Sequence, residues 1–302
     1  MEIYLLLGEK SAALKDIDIL CDSFEKNGIK LKKVMTNSID ISYPFNGQIS
    51  LNGQKHPLPD AVISAYFGNI NAYNLYVTRY FESMGVLCIN TADCIIDARD
   101  KLKAMLKISQ NLPDIKIPDS LLLSPNTTTE FIKEKMSFPC IIKILNGSKG
   151  IGVELCQNAE DAIKKSNEFK EKYGDSSILQ KYISFSKGRD IRFIICGGKH
   201  IVSFIRQNSQ SFLSNVAKGG KIIPYTPKGK EIKDAESIAA LLNINWGSVD
   251  FLTDKNGELV FCEANAMPGL NYTQAFIKAG LENPLNSIVK NIKNQINTIK
   301  KH

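Results

Sequence analysis

Histidine and paired cysteine are scarce in this chain, and each shortage removes a class of chemistry. Of 302 residues only His56, His200 and His302 are histidines, and none stands at metal-ligand or triad spacing from a partner, so histidine-based catalysis has little to draw on. The seven cysteines, at 21, 88, 94, 140, 156, 196 and 262, are odd in number and never form C-x-x-C, and several lie in apolar runs where a thiol acts as a small hydrophobe. Disulfides and zinc are therefore disfavoured. No run approaches the roughly eighteen apolar residues of a membrane span, and Met1 to Glu9 lacks the charged leader and long apolar core of a signal peptide. A cytoplasmic protein without a membrane partner is expected. Two phosphate-binding signatures are also missing, since neither G-x-x-x-x-G-K-[ST] nor G-x-G-x-x-G occurs.

The rest of the composition is ordinary for a globular protein, with 43% hydrophobic and 23% charged residues and no low-complexity tract. Its 38 basic residues against 31 acidic ones give a net charge of +7, spread as single lysines. Nucleic-acid binding would need basic patches interleaved with stacking aromatics, so no nucleic-acid partner is expected, whereas anionic small molecules suit the bias. A chain this long is expected to divide into two or three units.

The first, residues 1–97, alternates strand and helix: Ile3 to Leu7, a helix ending at Asn27-Gly28, Leu31 to Met35, Ala61 to Ala65, a helix over Ala72 to Ser83, then Val86 to Ile89. That order reads as a small parallel α/β sheet, with the repeated Asn-Gly-Gln between 41 and 58 marking an inserted hairpin. The second unit, residues 98–183, opens with a helix at Asp100-Lys101, has strands near 119–123, 139–145, 151–156 and 177–183, and a helix capped by Asn158 with Asp161 three residues on. The third, residues 184–302, has strands near 190–196 and 199–206, a helix from about 231 to 242, a hairpin and closing helices, and reads as α+β with a mixed sheet.

That late hairpin carries the most chemistry. If Asn256-Gly257 is a two-residue turn, as the dipeptide prefers, counting back along both strands sets Asp250 opposite Glu263, with Asn265 on the same face. Two opposed carboxylates about 4.5–5.5 Å apart at Cβ repel unless a cation lies between them. A hard divalent ion fits, and magnesium in particular takes oxygen ligands and is completed by substrate phosphates. The plain competitor is a solvated acidic hairpin, which the apolar neighbours Phe251, Val260 and Phe261 disfavour. Earlier in the chain, Pro139 to Leu145 is an apolar strand broken by Lys143, and Asn146-Gly147-Ser148-Lys149-Gly150-Ile151-Gly152 follows it. An ammonium in such a strand needs an anion, and a flexible glycine-rich loop offers backbone N–H groups able to close over phosphates.

Taken in order, these motifs resemble the ATP-grasp superfamily, and within it the RimK-like carboxylate–amine ligases. The resemblance runs from about 60 to 295: Asp100-Lys101-Leu102, Lys143 before Gly147 to Val153, Leu179 to Ile183, Gly188-Arg189-Asp190-Ile191-Arg192, Asn215 before Gly219-Gly220, Val249-Asp250 and Glu263 to Gly269. It implies an ATP-grasp fold with a Rossmann-like N-terminal domain, a central unit bearing the lid and a C-terminal unit bearing the metal site. It also implies that Lys101, Lys143 and the lid residues Gly147, Ser148, Lys149 and Gly150 hold phosphates, that Gln180, Lys181, Tyr182 and Ile183 border the adenine, and that Asp190 lies near the ribose. Asp250, Glu263 and Asn265 become ligands of magnesium, two ions in number and replaceable by manganese. Arg206, at a strand end, and Asn215 are the implied catalytic residues; a planar guanidinium suits an acyl phosphate. Arg192 reads as a residue facing solvent, and Arg189 as a neighbour of the acceptor pocket.

Two departures stand out. RimK-like ligases usually have glutamate where this chain has Lys181, which leaves adenine to main-chain groups, and arginine where it has Leu213, which removes a substrate or phosphate contact. The implied reaction is ATP-dependent amide formation between a small-molecule, peptide or protein carboxylate and an amino acid, releasing ADP and phosphate. An ATP-grasp kinase and a non-catalytic nucleotide-gated binding protein are the alternatives, and homo-oligomer formation is left open.

Overall fold

Largely buried strands alternate with amphipathic helices at the start of the chain, and that pattern fixes the first sheet. The computed structural model describes residues 1–8, 15–42, 47–66, 71–147, 150–214, 220–266 and 268–301. Strand β1 (Ile3–Leu7) is buried along its whole length and leads to α1 (Lys15–Lys26), β2 (Leu31–Met35), β3 (Ile39–Asp40), β4 (Gln48–Leu51), β5 (Gln54–Pro57), β6 (Ala61–Tyr66), α2 (Ala72–Ser83) and β7 (Leu87–Ile89). The order β2-β1-β6-β7 is parallel throughout, so its central strand needs cover on both faces. Ile3, Leu5 and Leu7 enter one core while Tyr4 and Leu6 enter another on the opposite side. The inserted hairpin is β4–β5, turned by Asn52 (φ 50°) and Gly53 (φ 76°), the two successive positive φ angles that a tight two-residue turn requires; with β3 it makes a separate small sheet.

Next come α3 (Ala92–Arg99), α4 (Lys101–Asn111), β8 (Ser120–Leu122), α5 (Thr129–Lys135), β9 (Cys140–Ile144), β10 (Val153–Cys156), α6 (Ala159–Tyr173) and β11 (Ser177–Lys181). The sheet β10-β9-β11-β8 is antiparallel, and α5 and α6 pack on it around Ile132, Ala162, Phe169, Ile142 and Leu179. Asn158 caps α6 as expected, its side chain accepting from the Asp161 N–H at 2.8 Å, but Asp161 bonds the Gln157 N–H, one residue outside the cap. Helices α3 and α5, of eight and seven residues, escape the sequence reading because two turns show too little period.

The chain continues as β12 (Arg189–Cys196), β13 (Lys199–Gln207), β14 (Lys221–Tyr225), α7 (Gly229–Leu241), β15 (Trp246–Thr253), β16 (Leu259–Ala266), α8 (Tyr272–Lys278) and α9 (Pro284–Ile299). All ladders of the sheet β14-β13-β12-β15-β16 are antiparallel, so the mixed character belongs to the molecule, parallel at its start and antiparallel later. Strand β14 holds Pro224, which fits its place at the sheet edge. One face of this sheet, Ile191, Phe193, Ile195, Val249 and Phe251, packs on α4 and α7. The other face, Ile194, Cys196, Phe204 and Trp246, joins the core of the first sheet together with Leu285, Ile288, Val289, Ile292 and Ile296 of α9, a helical stripe worth about 1.5–3 kcal/mol per buried side chain.

The hairpin β15–β16 pairs Asp250 with Glu263, but by a route the dipeptide alone does not reveal. Near the tip Thr253 opposes Leu259 and Phe251 opposes Phe261, one residue out of step with a two-residue turn; the loop is longer, with Asp254 N–H bonded to the Glu258 carbonyl at 2.9 Å and Gly257 at φ 78°. A bulge at Cys262 then takes up the offset. The two irregularities cancel, and Asp250 meets Glu263 while Ser248 meets Asn265.

Candidate active site

Asp190 and Arg192 lie two apart on β12, on the sheet face whose far end is the apolar core beneath α9. At this near end the face is ionic. Asp190 is the ladder partner of Arg206 on β13, and Arg192 that of Asp250 on β15. Arg206 grips Asp190 with Nε at 2.7 Å and Nη2 at 2.5 Å, and its Nη2 also reaches Asp250 Oδ2 at 2.8 Å. Arg192 grips Asp250 with Nε at 2.8 Å and Nη2 at 2.6 Å, and its Nη2 is 4.0 Å from Glu263 Oε1. The Ser214 hydroxyl donates to Asp190 Oδ2 at 2.5 Å. Burial pushes both aspartates upward, yet the charges and hydrogen bonds of Arg192 and Arg206 hold Asp250 below its ordinary value. For Asp190 burial prevails over Arg206, reinforced by the charge of Asp250, and its value is raised.

Above this row lies an elongated hollow in two connected parts. The first, about 610 Å³ and open to solvent, is bordered by apolar Ile141, Val153, Leu213 and Leu252 and by the β11 exit at Lys181, Tyr182 and Ile183. The second, about 480 Å³, is bordered by Lys101, Gly147, Gly150, Arg206 and Glu263. Lys143, Val153, Asp190, Leu213, Ser214 and Cys262 border both. Lys143 is half-buried where the sequence suggested a buried ammonium, and Glu263 and Lys143, 120 positions apart, face one space.

The expected residues that fall within the described segments each have a definite place. Lys101 opens α4 behind its Asp100 cap and is 7% exposed; its ammonium donates to the Gly147 carbonyl at 2.8 Å and lies 3.5 Å from that of Leu145. Burial lowers its pKa, against the opposing pull of Glu263. Gln180 borders the hollow, is 2% exposed, and its side-chain amide donates to Ser120 Oγ at 3.0 Å. Lys181 is exposed, its ammonium 3.3 Å from Asp119 and its N–H committed to the Asp119 carbonyl at 2.9 Å. Asp190 borders both parts but its carboxylate is taken by Arg206 and Ser214, so it reads as a brace for Arg206 more than as a free acceptor for a ribose. Arg189 borders the apolar part. Ser148, Lys149 and Asn215 lie outside the described residues.

The expected metal donors are all oxygens. Asp250 and Glu263 are directly opposed on β15 and β16, and two acids so placed repel unless a proton or a cation lies between them. The Asn265 amide is 3.5 Å from Glu263 Oε1, and Glu263 keeps 30% of its side chain exposed toward the hollow. Asp250 is wholly buried, yet of about four lone-pair sites on a carboxylate the guanidinium groups use one on Oδ1 and two on Oδ2, which leaves one on Oδ1. This donor set fits a hard divalent ion. Among the described residues no group of three or more His, Cys, Asp or Glu side chains is placed to hold a metal ion, here or elsewhere; this donor set is two carboxylates and an amide.

A RimK-like ATP-grasp domain matches residues 98–289, well over half of the chain. This chain belongs to the RimK-like ATP-grasp family. As a RimK-like protein it is an ATP-dependent ligase that forms C–N bonds. A Vibrio atlanticus protein named "Probable alpha-L-glutamate ligase" is 32% identical over 252 residues, covering 82% of this chain and 81% of that one. A Coxiella burnetii protein of the same name is 35% identical over 217 residues, 70% and 69% of the two chains. Among solved structures, the RimK domain ATP-grasp protein of Sphaerobacter thermophilus superposes with a TM-score of 0.67 at 17% identity over 95% and 98% of the chains. D-alanine–D-alanine ligase from Bacillus anthracis, solved with ATP, does so at 0.68 and 18% over 99% of each. These two likenesses concern the fold.

Against the RimK-like pattern, Arg192 is the residue that sequence reasoning misplaced: it is 8% exposed and clamps Asp250. Its signal was present, since a charge two residues from Asp190 on a strand must share that residue's face. The Leu213 departure is also concrete, because its side chain borders both parts of the hollow where RimK-like ligases usually have a cation.

Proposed function

We propose that this ligase joins an amino acid to the carboxyl group of a small molecule, peptide or protein through an acyl phosphate. The observation that carries the reading is the two-part hollow, apolar at the β11 end and cationic at the lid end, with six residues common to both. A nucleotide has that polarity, a flat apolar base followed by a polyanion. Adenine lies between Ile141, Val153, Leu213 and Leu252, and its edge meets the backbone after Lys181, whose own N–H is already committed. The triphosphate extends to Lys101, Lys143, the lid and Arg206, with Ser148, Lys149 and Asn215 as further contacts.

The substrate carboxylate attacks the γ-phosphorus, the bond to the β–γ bridging oxygen breaks, and ADP leaves. The amine then attacks the acyl carbon, phosphate departs, and the amine proton passes to solvent. The protein supplies position and charge more than covalent chemistry. Arg206, held by Asp190 and Asp250 through Nε and Nη2, presents its remaining edge to the transferred group at no cost in orientation. Closure of the lid keeps water from the activated acyl carbon. Asp250, Glu263 and Asn265 hold magnesium, two ions in our reading and exchangeable for manganese, which when bound neutralises phosphate charge.

Incubation with ATP, magnesium and amino-acid mixtures, with L-glutamate first because of the names of its relatives, releases ADP and phosphate and yields an amide seen by mass spectrometry. Asp250→Ala and Glu263→Ala each abolish that release. Unchanged turnover in both variants would refute the site, and a phosphorylated product without free phosphate would make the enzyme a kinase.

A further inference from the structure

We propose that Arg192 is a positioning residue for the divalent-cation site, fixing the Asp250 carboxylate so that a single lone pair of Oδ1 stays available. The inference rests on the reading that Asp250, Glu263 and Asn265 hold the metal.

The register of the sheet creates the arrangement. Arg192 and Asp250 are directly opposed on β12 and β15, and Asp250 and Glu263 on β15 and β16, so the three side chains follow one another across the sheet on one face. Both Arg192 contacts with Asp250 are short and parallel, at 2.8 and 2.6 Å, which locks the plane of the carboxylate as a single ammonium could not. The same Nη2 lies 4.0 Å from Glu263 Oε1, so one guanidinium faces both carboxylates of the donor set. Nothing else among the described residues asks for an arginine there: its side chain is 10% exposed, and its hydrogen bonds all go to Asp250. A hydrophobic strand residue would fill the space more cheaply than a buried ion pair, which gains little stability against an apolar replacement. Hydrogen-bonding partners behind metal ligands orient those ligands and set the affinity of the site.

Arg192→Lys tests the idea, because it keeps the charge beside Glu263 and removes only the two-point grip. Manganese binding is titrated by electron paramagnetic resonance in the presence of a non-hydrolysable ATP analogue, for the wild type, Arg192→Lys and Glu263→Gln. Arg192→Lys weakens manganese binding about 10–100-fold, and leaves metal-free binding of the analogue within about twofold, the pattern of lost ligand orientation. A purely structural role would lower the melting temperature and leave manganese affinity untouched. Wild-type manganese affinity in Arg192→Lys, with that of Glu263→Gln lost, overturns the proposal alone; unchanged affinity in both variants removes the metal reading beneath it. Should Arg192→Lys not fold, nitrogen-15 arginine spectra of the wild type decide instead. The Arg192 Nε–H then exchanges slowly with water both with and without magnesium and the analogue, and rapid exchange on loading overturns the proposal.

Discussion

Lys101 shows how much one side chain can be asked to do. It is almost fully buried, yet among the described residues its ammonium is hydrogen-bonded only by two carbonyls, those of Gly147 and Leu145. A cation so placed is under-compensated until an anion arrives. Lys101→Met therefore weakens ATP-analogue binding about 10–100-fold by calorimetry, the loss of one charge-assisted hydrogen bond of about 1.5–3 kcal/mol. Its titration has a sign of its own. Burial depresses the folded pKa below the ordinary 10.5, so the folded protein sheds this proton first; as pH rises toward 10.5 its contribution to stability improves while its hold on phosphate fades. Nucleotide affinity declines on the alkaline side below the ordinary lysine range, and Lys101→Arg removes that limb. Single residues such as Lys143, Arg206 and Glu263 were legible because their charge interrupts apolar strands. Arg192 was not, since exposure and pairing look alike in a linear alternation until the neighbouring strands are known.

Among the elements, the glycine-rich turn between β9 and β10 depends on Ile144. Gly152 has φ 65°, and a Cβ there would come within 2.6–2.9 Å of three Ile144 side-chain atoms. Gly152→Ala combines backbone strain with a collision against a buried residue, and costs about 1–3 kcal/mol by analogy with other strained sites. In a steady-state assay KM for ATP rises at least several-fold, with a smaller change in KM for the amine. Elements with a full period, such as α9, or with punctuation, such as the Asn52-Gly53 turn, could be read from the sequence. The short α3 and α5 and the proline-bearing edge strand β14 could not, because propensity there yields to packing on a neighbouring sheet.

For the whole molecule, the first sheet and the last are joined by the buried side chain of Asn90 as well as by a common core. Asn90, just beyond β7, accepts from the N–H groups of Asn245 and Trp246 at 2.7 and 3.0 Å and donates to the Trp246 carbonyl at 2.7 Å. Trp246 begins the strand that carries Asp250 four residues later. Asn90→Ala strands three backbone groups, at about 1–3 kcal/mol for each left unpaired, and urea denaturation should show a midpoint well below that of the wild type. No sequence pattern pairs positions 90 and 246, because such contacts are decided by how finished sheets dock.

The bulge at Cys262 sets two consecutive side chains, Cys262 and Glu263, on the border of the same chamber, where a regular strand would send them to opposite faces. Position 262 can therefore vary in bulk or chemistry and remodel the chamber's floor while the neighbouring acid stays in place. Because this chamber is the one proposed to hold the triphosphate, bulk added at 262 narrows the nucleotide's space while the ladder register of the acid is kept.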